Sequence, residues 1–555
     1  MPGYQSYNIA AHLPDMAAKQ PSTAAVHFPY KCNKNNQPLY QSLTYAELEQ
    51  RSNRIAAGLE SIGIGRGVRT VLMVKPSLDF FALTFALFKV GAVPILIDPG
   101  MGIKNLKVCL QEAEPEAFIG IAKAHIARLL FGWGKETLKI ILTVGPRFLW
   151  GGTTLDKLIA SVPSNTPYET VHTTVDETAA ILFTSGSTGI PKGAVYSHGN
   201  FIAQVDALRD IYKIEPGEVD LPTFPLFALF APALGMTSVI PEMDFTRPGS
   251  VNPENIINAI KRFNVTTMFG SPALIHRVGL YGEKQFIHLP TLKRAISAGA
   301  PVPATVLARF VQMLTPGVQV YTPYGATESL PVCSIGSDEI LQETRFLTDH
   351  GKGVCIGLPV PSIQLEIIKI SDNEISLWQD DLKVPTGEIG EIVVKGPQVT
   401  CRYYNRSEST RLAKIPVADG NEFFHRMGDL GYRDELGRIW FCGRKAHRVV
   451  TSKETLFTIP CEAIFNTHSQ VFRAALVGVG ASINRKPVIC VELEKDANNV
   501  DHKHLIDELI HIAQEHEITK SIHQFLIHPD FPVDIRHNAK IFREKLAVWA
   551  EEQLS

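Results

Sequence analysis

One stretch of the chain combines residue types that suit phosphate binding. The apolar segment 179–183 runs into a loop of small and hydroxyl residues, and Lys192 follows. Glycines let backbone N–H groups turn toward one point, hydroxyls add donors, and a lysine adds positive charge. The candidate phosphate ligands are Thr184, Ser185, Gly186, Ser187, Thr188, Gly189 and Lys192. The pattern predicts a phosphate-binding loop at the end of a buried strand.

Two common nucleotide loops do not fit this stretch. Pro191 stands where a Walker A loop requires glycine after Gly186. The dinucleotide pattern Gly-x-Gly-x-x-Gly is absent here, and the glycine clusters at 63–67 and 478–480 also miss its spacing. A flexible Ser/Gly surface loop is the alternative, but such loops seldom follow a buried strand and end in Pro-Lys-Gly.

Composition excludes several classes of protein. The chain has 555 residues, of which 45% are hydrophobic and 20% charged, and its formal net charge is -2. These values exclude wholesale disorder, a collagen-like fibre and a small disulfide scaffold. A nearly neutral chain has no global basic field for nucleic acid or an anionic membrane. At roughly 150 residues per domain, we expect three to four structural units in a soluble enzyme or binding protein that acts on small molecules.

The N-terminus and the cysteines favour a cytoplasmic location. Residues 1–19 lack the basic start and apolar stretch of a secretory signal, and the eight cysteines form no Cys-x-x-Cys pair. Two apolar runs are interrupted, 80–97 by Lys89 and 222–240 by prolines and glycine, so no transmembrane segment is predicted. The second run is either core or the wall of a pocket for an apolar ligand.

The elements around these residues alternate between strand and helix. Apolar spacing predicts helices at 44–62 and 80–89, and short β-branched runs predict strands at 70–74, 93–97, 117–121 and 140–144. Such alternation is typical of a mostly parallel sheet covered on both faces.

Beyond residue 363 the pattern changes. Segments 364–370 and 388–395 alternate with period two, which predicts antiparallel strands or a small β-barrel-like subdomain. The last 110 or so residues carry strand patterns at 473–479 and 487–493 and a helix pattern at 505–516. We predict an α/β protein with a large domain at 1–443, containing mostly parallel sheets, and a small α+β domain at 444–555.

Several motifs resemble those of the adenylate-forming superfamily, which includes acyl-CoA synthetases, peptide-synthetase adenylation domains and luciferases. The matching segments are the loop 184–193 and the stretches 89–99, 297–301, 324–328, 425–429 and 437–444. The resemblance runs from about residue 44 to the C-terminus. It implies a large domain that binds ATP and an acyl group, and a mobile C-terminal domain that carries a catalytic lysine.

The resemblance also implies residue roles for a reaction in which a carboxylate attacks the α-phosphate of ATP. Two anions must meet, so the site needs positive charge and a metal ion, here Mg²⁺. Glu328 would hold Mg²⁺, Thr327 would contact the phosphates, Asp429 would bind the ribose hydroxyls, and Arg444 would lie near the ribose. The residues implied in nucleotide binding also include Gly299, Ala300, Pro301, Tyr324, Gly325 and Ala326.

The catalytic lysine of the family falls on Lys540. Segment 531–540 resembles the family's final motif, although Ala539 replaces the usual glycine. Lys540 would bridge the substrate carboxylate and the α-phosphate, and would act with Lys192, Thr327 and Glu328. An ordinary surface lysine is the alternative.

Two departures fall on the thioester half-reaction of acyl-CoA synthetases. Ala228 stands where many of them carry His, and segment 448–457 lacks the glycine of the loop that lines their CoA tunnel. Segments 220–230, 269–273 and 534–541 resemble the β-lactone synthetases of bacterial olefin biosynthesis. That resemblance implies a 2-alkyl-3-hydroxy fatty acid that is adenylated and then closed by its own 3-hydroxyl.

The sequence leaves several points open. An acyl-CoA ligase or fatty-acyl-AMP ligase remains an alternative, as does a non-catalytic nucleotide-binding protein. By analogy we expect association with a thiolase, a reductase and a β-lactone decarboxylase. The base for ring closure is unassigned among the histidines in or beside motifs, which are His198, His425, His447 and His537.

Overall fold

The computed structural model describes residues 7–35, 37–183, 191–224, 229–418, 420, 422–480, 484–494, 501–533 and 541–555. Its strands are β1 Ala24–Cys32, β2 Pro38–Thr44, β3 Arg69–Met73, β4 Val93–Leu96, β5 Ala117–Ile121, β6 Ile140–Val144, β7 Thr153–Thr154, β8 Thr178–Phe183, β9 Gly193–Ser197, β10 Val219–Pro222, β11 Thr237–Val239, β12 Thr267–Gly270, β13 Arg294–Ser297, β14 Val320–Ala326, β15 Ser329–Gly336, β16 Val354–Pro359, β17 Gln364–Ile368, β18 Gly390–Lys395, β19 Lys414–Pro416, β20 Phe423–Arg433, β21 Ile439–Arg444, β22 Val449–Val450, β23 Thr455–Leu456, β24 Val471–Val479, β25 Lys486–Leu493 and β26 Gln524–Ile527.

The α-helices of the described residues follow in chain order. They are α1 His12–Lys19, α2 Tyr45–Ser61, α3 Leu78–Lys89, α4 Ile103–Ala113, α5 Ala122–Phe131, α6 Leu155–Ala160, α7 His198–Tyr212, α8 Ala231–Leu234, α9 Pro253–Phe263, α10 Pro272–Lys284, α11 Ala304–Val311, α12 Ser337–Glu339, α13 Arg345–Asp349, α14 Ser407–Ala413, α15 Thr458–Phe465, α16 His502–Glu515 and α17 Arg543–Leu554.

The first sheet has seven strands in the order β7-β6-β5-β3-β4-β8-β9. All its pairs are parallel except β8 with β9. Both faces are covered: Ala117 and Ile119 of β5 join one apolar core, whereas Phe118 between them joins another. The parallel, doubly covered sheet predicted from the strand–helix alternation is thus confirmed.

Local sequence signals explain the boundaries of the helices near this sheet. Helix α2 begins with a capping box in which Thr44 and Glu47 satisfy each other's backbone N–H groups. The predicted helix at 80–89 is α3, capped by the Ser77 hydroxyl. Lys89 is fully buried at its end, where Nζ lies 2.5 Å from Glu49 Oε2.

The second sheet follows the order β17-β18-β20-β21-β16-β15-β14-β13-β12-β10-β11-β1-β2, with β19 paired to β20. Strands β10, β12, β13 and β14 are parallel, so their carboxyl ends meet at one edge. From β14 to β17 every pair is antiparallel. The antiparallel strands predicted beyond residue 363 are confirmed. They belong to the same strand path as β14, β15 and β16, which are also antiparallel.

The C-terminal residues build a small α+β unit. Strand β24 is antiparallel to β25, β25 is parallel to β26, and helices α15 to α17 pack on this sheet. Within the described part of the chain, β22 to β26 pair only with one another. The boundary after residue 443 stays a prediction, and β21 ends at Arg444 beside it.

The structure divides both apolar runs that the sequence raised as membrane candidates. Residues 80–97 form α3 and β4, and the described parts of 222–240 include α8 and β11. Across the described ranges, no helix has both the length and the apolar character that a bilayer crossing requires.

Candidate active site

The predicted phosphate loop joins two paired strands. Phe183 at the end of β8 lies opposite Gly193 at the start of β9. Thr184, Ser185, Gly186, Ser187, Thr188 and Gly189 lie outside the described residues. Lys192 is described, and its Nζ lies 5.1 Å from the centroid of the Tyr403 ring. The lysine therefore lies beside a tyrosine that contacts Glu328.

Thr327 and Glu328 form the turn between β14 and β15, where Ala326 pairs with Ser329. The Tyr196 hydroxyl donates to the Thr327 carbonyl oxygen at 2.5 Å, and the Thr400 N–H donates to the Glu328 carbonyl oxygen at 2.8 Å. A Cβ on Gly325 would lie 2.8 Å from the Ser329 carbonyl oxygen, so this position requires glycine. Hydrogen bonds from two other segments to its backbone carbonyl oxygens thus hold the turn in place.

The Glu328 side chain lies near Tyr403 and Lys414, and its charge affects the pKa of both groups. The Tyr403 hydroxyl donates to Glu328 Oε1 at 2.6 Å. Burial, together with the Glu328 charge, raises the pKa of Tyr403. The buried Lys414 ammonium donates to the Thr400 carbonyl oxygen. Burial lowers the pKa of Lys414 to about 7, and the Glu328 charge opposes that shift.

Asp429 occupies a buried position on β20, opposite Arg444 on β21. Its Oδ2 accepts a hydrogen bond of 2.5 Å from the Tyr324 hydroxyl, and its Oδ1 lies 3.1 Å from Arg444 Nη1. Burial raises the pKa of Asp429, and the Arg444 charge opposes the rise. Within the described residues Oδ1 receives no well-aligned hydrogen bond. A buried carboxylate oxygen in that state suits a hydroxyl donor such as a ribose OH.

Gly299, Ala300 and Pro301 directly follow β13. Because β13 and β14 are parallel neighbours, this segment lies at the same sheet edge as Tyr324. Gly299 has φ +102°, a conformation that favours glycine. The buried Ser297 hydroxyl has no partner among the described residues, which leaves a polar atom beside the segment.

Arg444 begins the segment predicted to be the hinge, and a buried carboxylate holds this segment. Glu391 pairs with Arg426 at 2.6 Å and with Lys445 Nζ at 3.0 Å. Lys445 also donates to the Ser371 carbonyl oxygen at 2.8 Å. The single carboxylate thus connects β18, β20 and the first residues after β21.

Three of the four motif histidines lie among the described residues, and each contacts a neighbouring group. His198 Nδ1 accepts from the Ile9 N–H at 3.3 Å, His425 Nδ1 lies 3.1 Å from the Ala413 carbonyl oxygen, and His447 Nε2 lies 3.2 Å from Glu544 Oε1. Burial lowers the pKa of His198 and of His447 to about 4, and that of His425 as well. These rings are neutral at pH 7. His537 lies outside the described residues, and no base for ring closure is assigned.

Several residues of the site carried no local signal in the sequence. Tyr196, Tyr403 and Lys414 approach Thr327 and Glu328 only because distant strands meet at this edge. Glu391 likewise comes to the hinge across the sheet. Lys540 lies outside the described residues; Val533 and Ile541, which flank its segment in the sequence, pair with each other.

A cleft elsewhere in the molecule does not coincide with these residues. A cleft of about 610 Å³ lies between the antiparallel strands and the segment before α15, lined by residues such as Tyr432, Trp440 and Phe457. None of the described residues predicted to bind nucleotide lines it. The candidate site is therefore defined by its charged and hydroxyl groups.

Residues 13–404 match the model of the family described as AMP-binding enzyme. The chain belongs to this family, and it is an AMP-forming, ligase-type enzyme of the adenylate-forming class, whose members use ATP.

The relatives are more specific. The chain is 49% identical over 550 residues to the olefin beta-lactone synthetase of Xanthomonas campestris pv. campestris, covering 98% of each chain. It is 49% identical over 552 residues to the olefin beta-lactone synthetase of Stenotrophomonas maltophilia, covering 99% of this chain and 98% of the relative. Among solved structures, ATP-bound MatB from Rhodopseudomonas palustris superposes with a TM-score of 0.78 at 21% identity, covering 99% of this chain and 100% of that one. This last likeness establishes the fold.

Proposed function

We propose that the chain activates a 2-alkyl-3-hydroxy fatty acid with ATP and closes it to a β-lactone. In the first step a carboxylate oxygen bonds to the α-phosphorus, and the bond to pyrophosphate breaks. In the second step the 3-hydroxyl oxygen attacks the acyl carbon, AMP leaves, and the hydroxyl proton passes to solvent or a base. The full-length identity of 49% to olefin beta-lactone synthetases carries this proposal.

The described residues support roles in nucleotide binding. Asp429 has a buried oxygen suited to a ribose hydroxyl, with Arg444 beside it. Lys192 lies near the Glu328 group and would place positive charge toward the phosphates. Thr327 lies in the same fixed turn. Gly299, Ala300, Pro301, Gly325 and Ala326 would border the base with Tyr324.

Glu328 would hold Mg²⁺. A hard cation prefers carboxylate and phosphate oxygens, and Glu328 presents a partly exposed carboxylate held by the Tyr403 hydroxyl. When bound, the ion would neutralise phosphate charge. The chain's own contribution is to fix the carboxylate and to keep the positive charge of Lys192 close to it.

Ring closure needs no second substrate. The nucleophile is part of the acyl chain, so its effective concentration is high once the acid is bound. The mixed anhydride supplies the free energy that a strained four-membered ring requires. Lys540 would bridge the reacting carboxylate and phosphate in the first step. A thiolase, a reductase and a β-lactone decarboxylase would supply the substrate and consume the product.

Product analysis tests this function. The purified chain should convert a defined 2-alkyl-3-hydroxy acid, ATP and Mg²⁺ to AMP, pyrophosphate and a neutral lactone without CoA. The matched 2-alkyl acid that lacks the 3-hydroxyl should support ATP–pyrophosphate exchange but yield no lactone. A thioester that forms only with CoA would instead identify an acyl-CoA ligase.

A further inference from the structure

Six large apolar side chains are exposed together on the first sheet's outer layer. They are Ile126, Leu129, Leu130, Phe131, Phe148 and Leu149, which we call the α5 patch. Leu149 is fully exposed, Leu130 is 74% exposed and Phe148 is 60% exposed. Single exposed apolar residues are ordinary, whereas a group of them marks an interaction surface. Ile126, Leu129 and Leu130 share one face of α5 through their i, i+3 and i+4 spacing.

The α5 patch is held together by aromatic contacts beneath it. His125, on the buried side of α5, stacks on Trp150 with ring centroids 5.2 Å apart. Trp150 packs against Phe148 at 5.3 Å, and its indole N–H donates to Thr143 Oγ1 at 2.9 Å. Trp150 thus holds the loop after β6 against helix α5, and both carry exposed apolar side chains.

The segment that carries the α5 patch has an excess of basic residues. Between residues 122 and 152 the chain has the basic residues Lys123, Arg128, Lys135, Lys139 and Arg147 and the single acidic residue Glu136, a net charge of five minus one, or +4. Arg128 is buried over the Phe118 ring, and the other four basic side chains are exposed. The whole chain has a net charge of -2, so this cationic rim is a local feature.

We infer that the α5 patch docks on a membrane surface that contains anionic lipid. Apolar side chains surrounded by lysine and arginine can enter the acyl boundary while the cations meet lipid phosphates. The surrounding positive charge favours an anionic lipid surface over a neutral apolar partner. The weak overall charge predicted no membrane attraction, and the structure revises that expectation for this one face.

Vesicle sedimentation with the full chain tests the inference. Binding to vesicles of phosphatidylcholine plus phosphatidylglycerol should exceed binding to phosphatidylcholine alone by about tenfold or more, and added salt should weaken it. Leu130→Glu combined with Leu149→Glu should lower binding about tenfold or more. Lys123→Gln combined with Arg147→Gln should lower it by a factor on the order of ten, mainly for the anionic vesicles.

A matched control uses equally exposed apolar residues elsewhere. Phe286 and Leu436 are 87% and 68% exposed, and Phe286→Glu combined with Leu436→Glu should leave binding unchanged. Equal binding to both vesicle types, or equal loss in the control and patch variants, would overturn the inference. So would a patch variant that changes only the particle mass in light scattering, since that result identifies a protein interface.

The test is separable from the proposed function. Lactone formation from detergent-dispersed substrate should be the same in the patch variants and the unmodified chain, because the patch is remote from the described site residues in sequence and sheet position. Loss of vesicle binding with intact lactone formation would confirm docking. Vesicle binding without lactone formation would count against the function alone.

Discussion

Asp429 on β20 and Glu328 in the turn between β14 and β15 are two neighbouring carboxylates that differ in burial. Each accepts a hydrogen bond from a tyrosine hydroxyl, Tyr324 in one case and Tyr403 in the other. Asp429 is 3% exposed, and burial raises its own pKa. Around the partly exposed Glu328, burial shifts the pKa of its neighbours Tyr403 and Lys414.

We propose that this difference separates a carboxylate that positions a hydroxyl, Asp429, from one that binds a cation, Glu328. The ion pair with Arg444 compensates Asp429 inside the protein, so it can present a fixed acceptor to a neutral hydroxyl. Glu328 remains open to solvent on a fixed turn, as a carboxylate that receives a cation must. Substitutions at the two carboxylates and at their tyrosine partners test this distinction.

The largest effect on activity should come from Lys540, which is neither of the two carboxylates. Lys540→Ala should lower the rate of adenylation by about 10²- to 10³-fold, the usual scale for one transition-state donor. ATP–pyrophosphate exchange measures it, with Lys520→Ala on the surface of the same C-terminal unit as the control. An unchanged exchange rate would show that Lys540 is an ordinary surface lysine.

Substitutions of the two carboxylates should change different kinetic parameters. Glu328→Gln should lower kcat/KM for adenylation about 10²-fold and weaken the response to added Mg²⁺, because the amide is a poorer ligand. Asp429→Asn should mainly raise the KM for ATP, by about tenfold, because it weakens a charge-assisted hydrogen bond. Steady-state kinetics at several Mg²⁺ concentrations separates these outcomes, and identical defects in both variants would remove the distinction.

The two tyrosines offer a finer comparison. Tyr403→Phe removes the donor to Glu328 and should raise the Mg²⁺ concentration for half-maximal activity by about tenfold, the lower end for partners of a metal ligand. Tyr324→Phe is its counterpart at Asp429 and should leave the Mg²⁺ response unchanged while raising the KM for ATP. A Mg²⁺ response that shifts equally in both variants would contradict separate roles.

The effect of Lys414 on stability should depend on pH. Because burial lowers its pKa from 10.5 to about 7, the folded chain holds the neutral amine between these values while the unfolded chain binds a proton. Unfolding therefore takes up a proton, and the free energy of unfolding rises with pH across that window. Lys414→Met should flatten this rise in denaturant titrations.

The control for this measurement is Lys395→Met. Lys395 lies on β18 and forms an ion pair with Glu422 at 2.6 Å near the surface. The slope of stability against pH should stay unchanged in this variant. A Lys414→Met chain with the slope of the unmodified chain would show that the lysine is charged in the folded state.

The sequence predicted the local elements well because their signals are local. The strands at 117–121 and 140–144 and the helix at 44–62 follow from apolar spacing and a capping box, and the structure confirms them. Asp429, Arg444 and Glu328 were predicted as site residues because each lies within a short motif, and their roles stay predictions. Tyr403 and Lys414 had no such context, since their proximity to Glu328 depends on strands more than 70 residues away along the chain.

The sequence by itself determined the class of chemistry, since a glycine- and hydroxyl-rich loop with a lysine has few uses other than phosphate binding. It also determined the alternation of elements that carries the site. Only the tertiary structure decided how the two carboxylates differ, because burial and ion pairing arise from segments that meet in space. The α5 patch has the same origin: its residues are ordinary in the sequence, and only the structure shows that they are exposed.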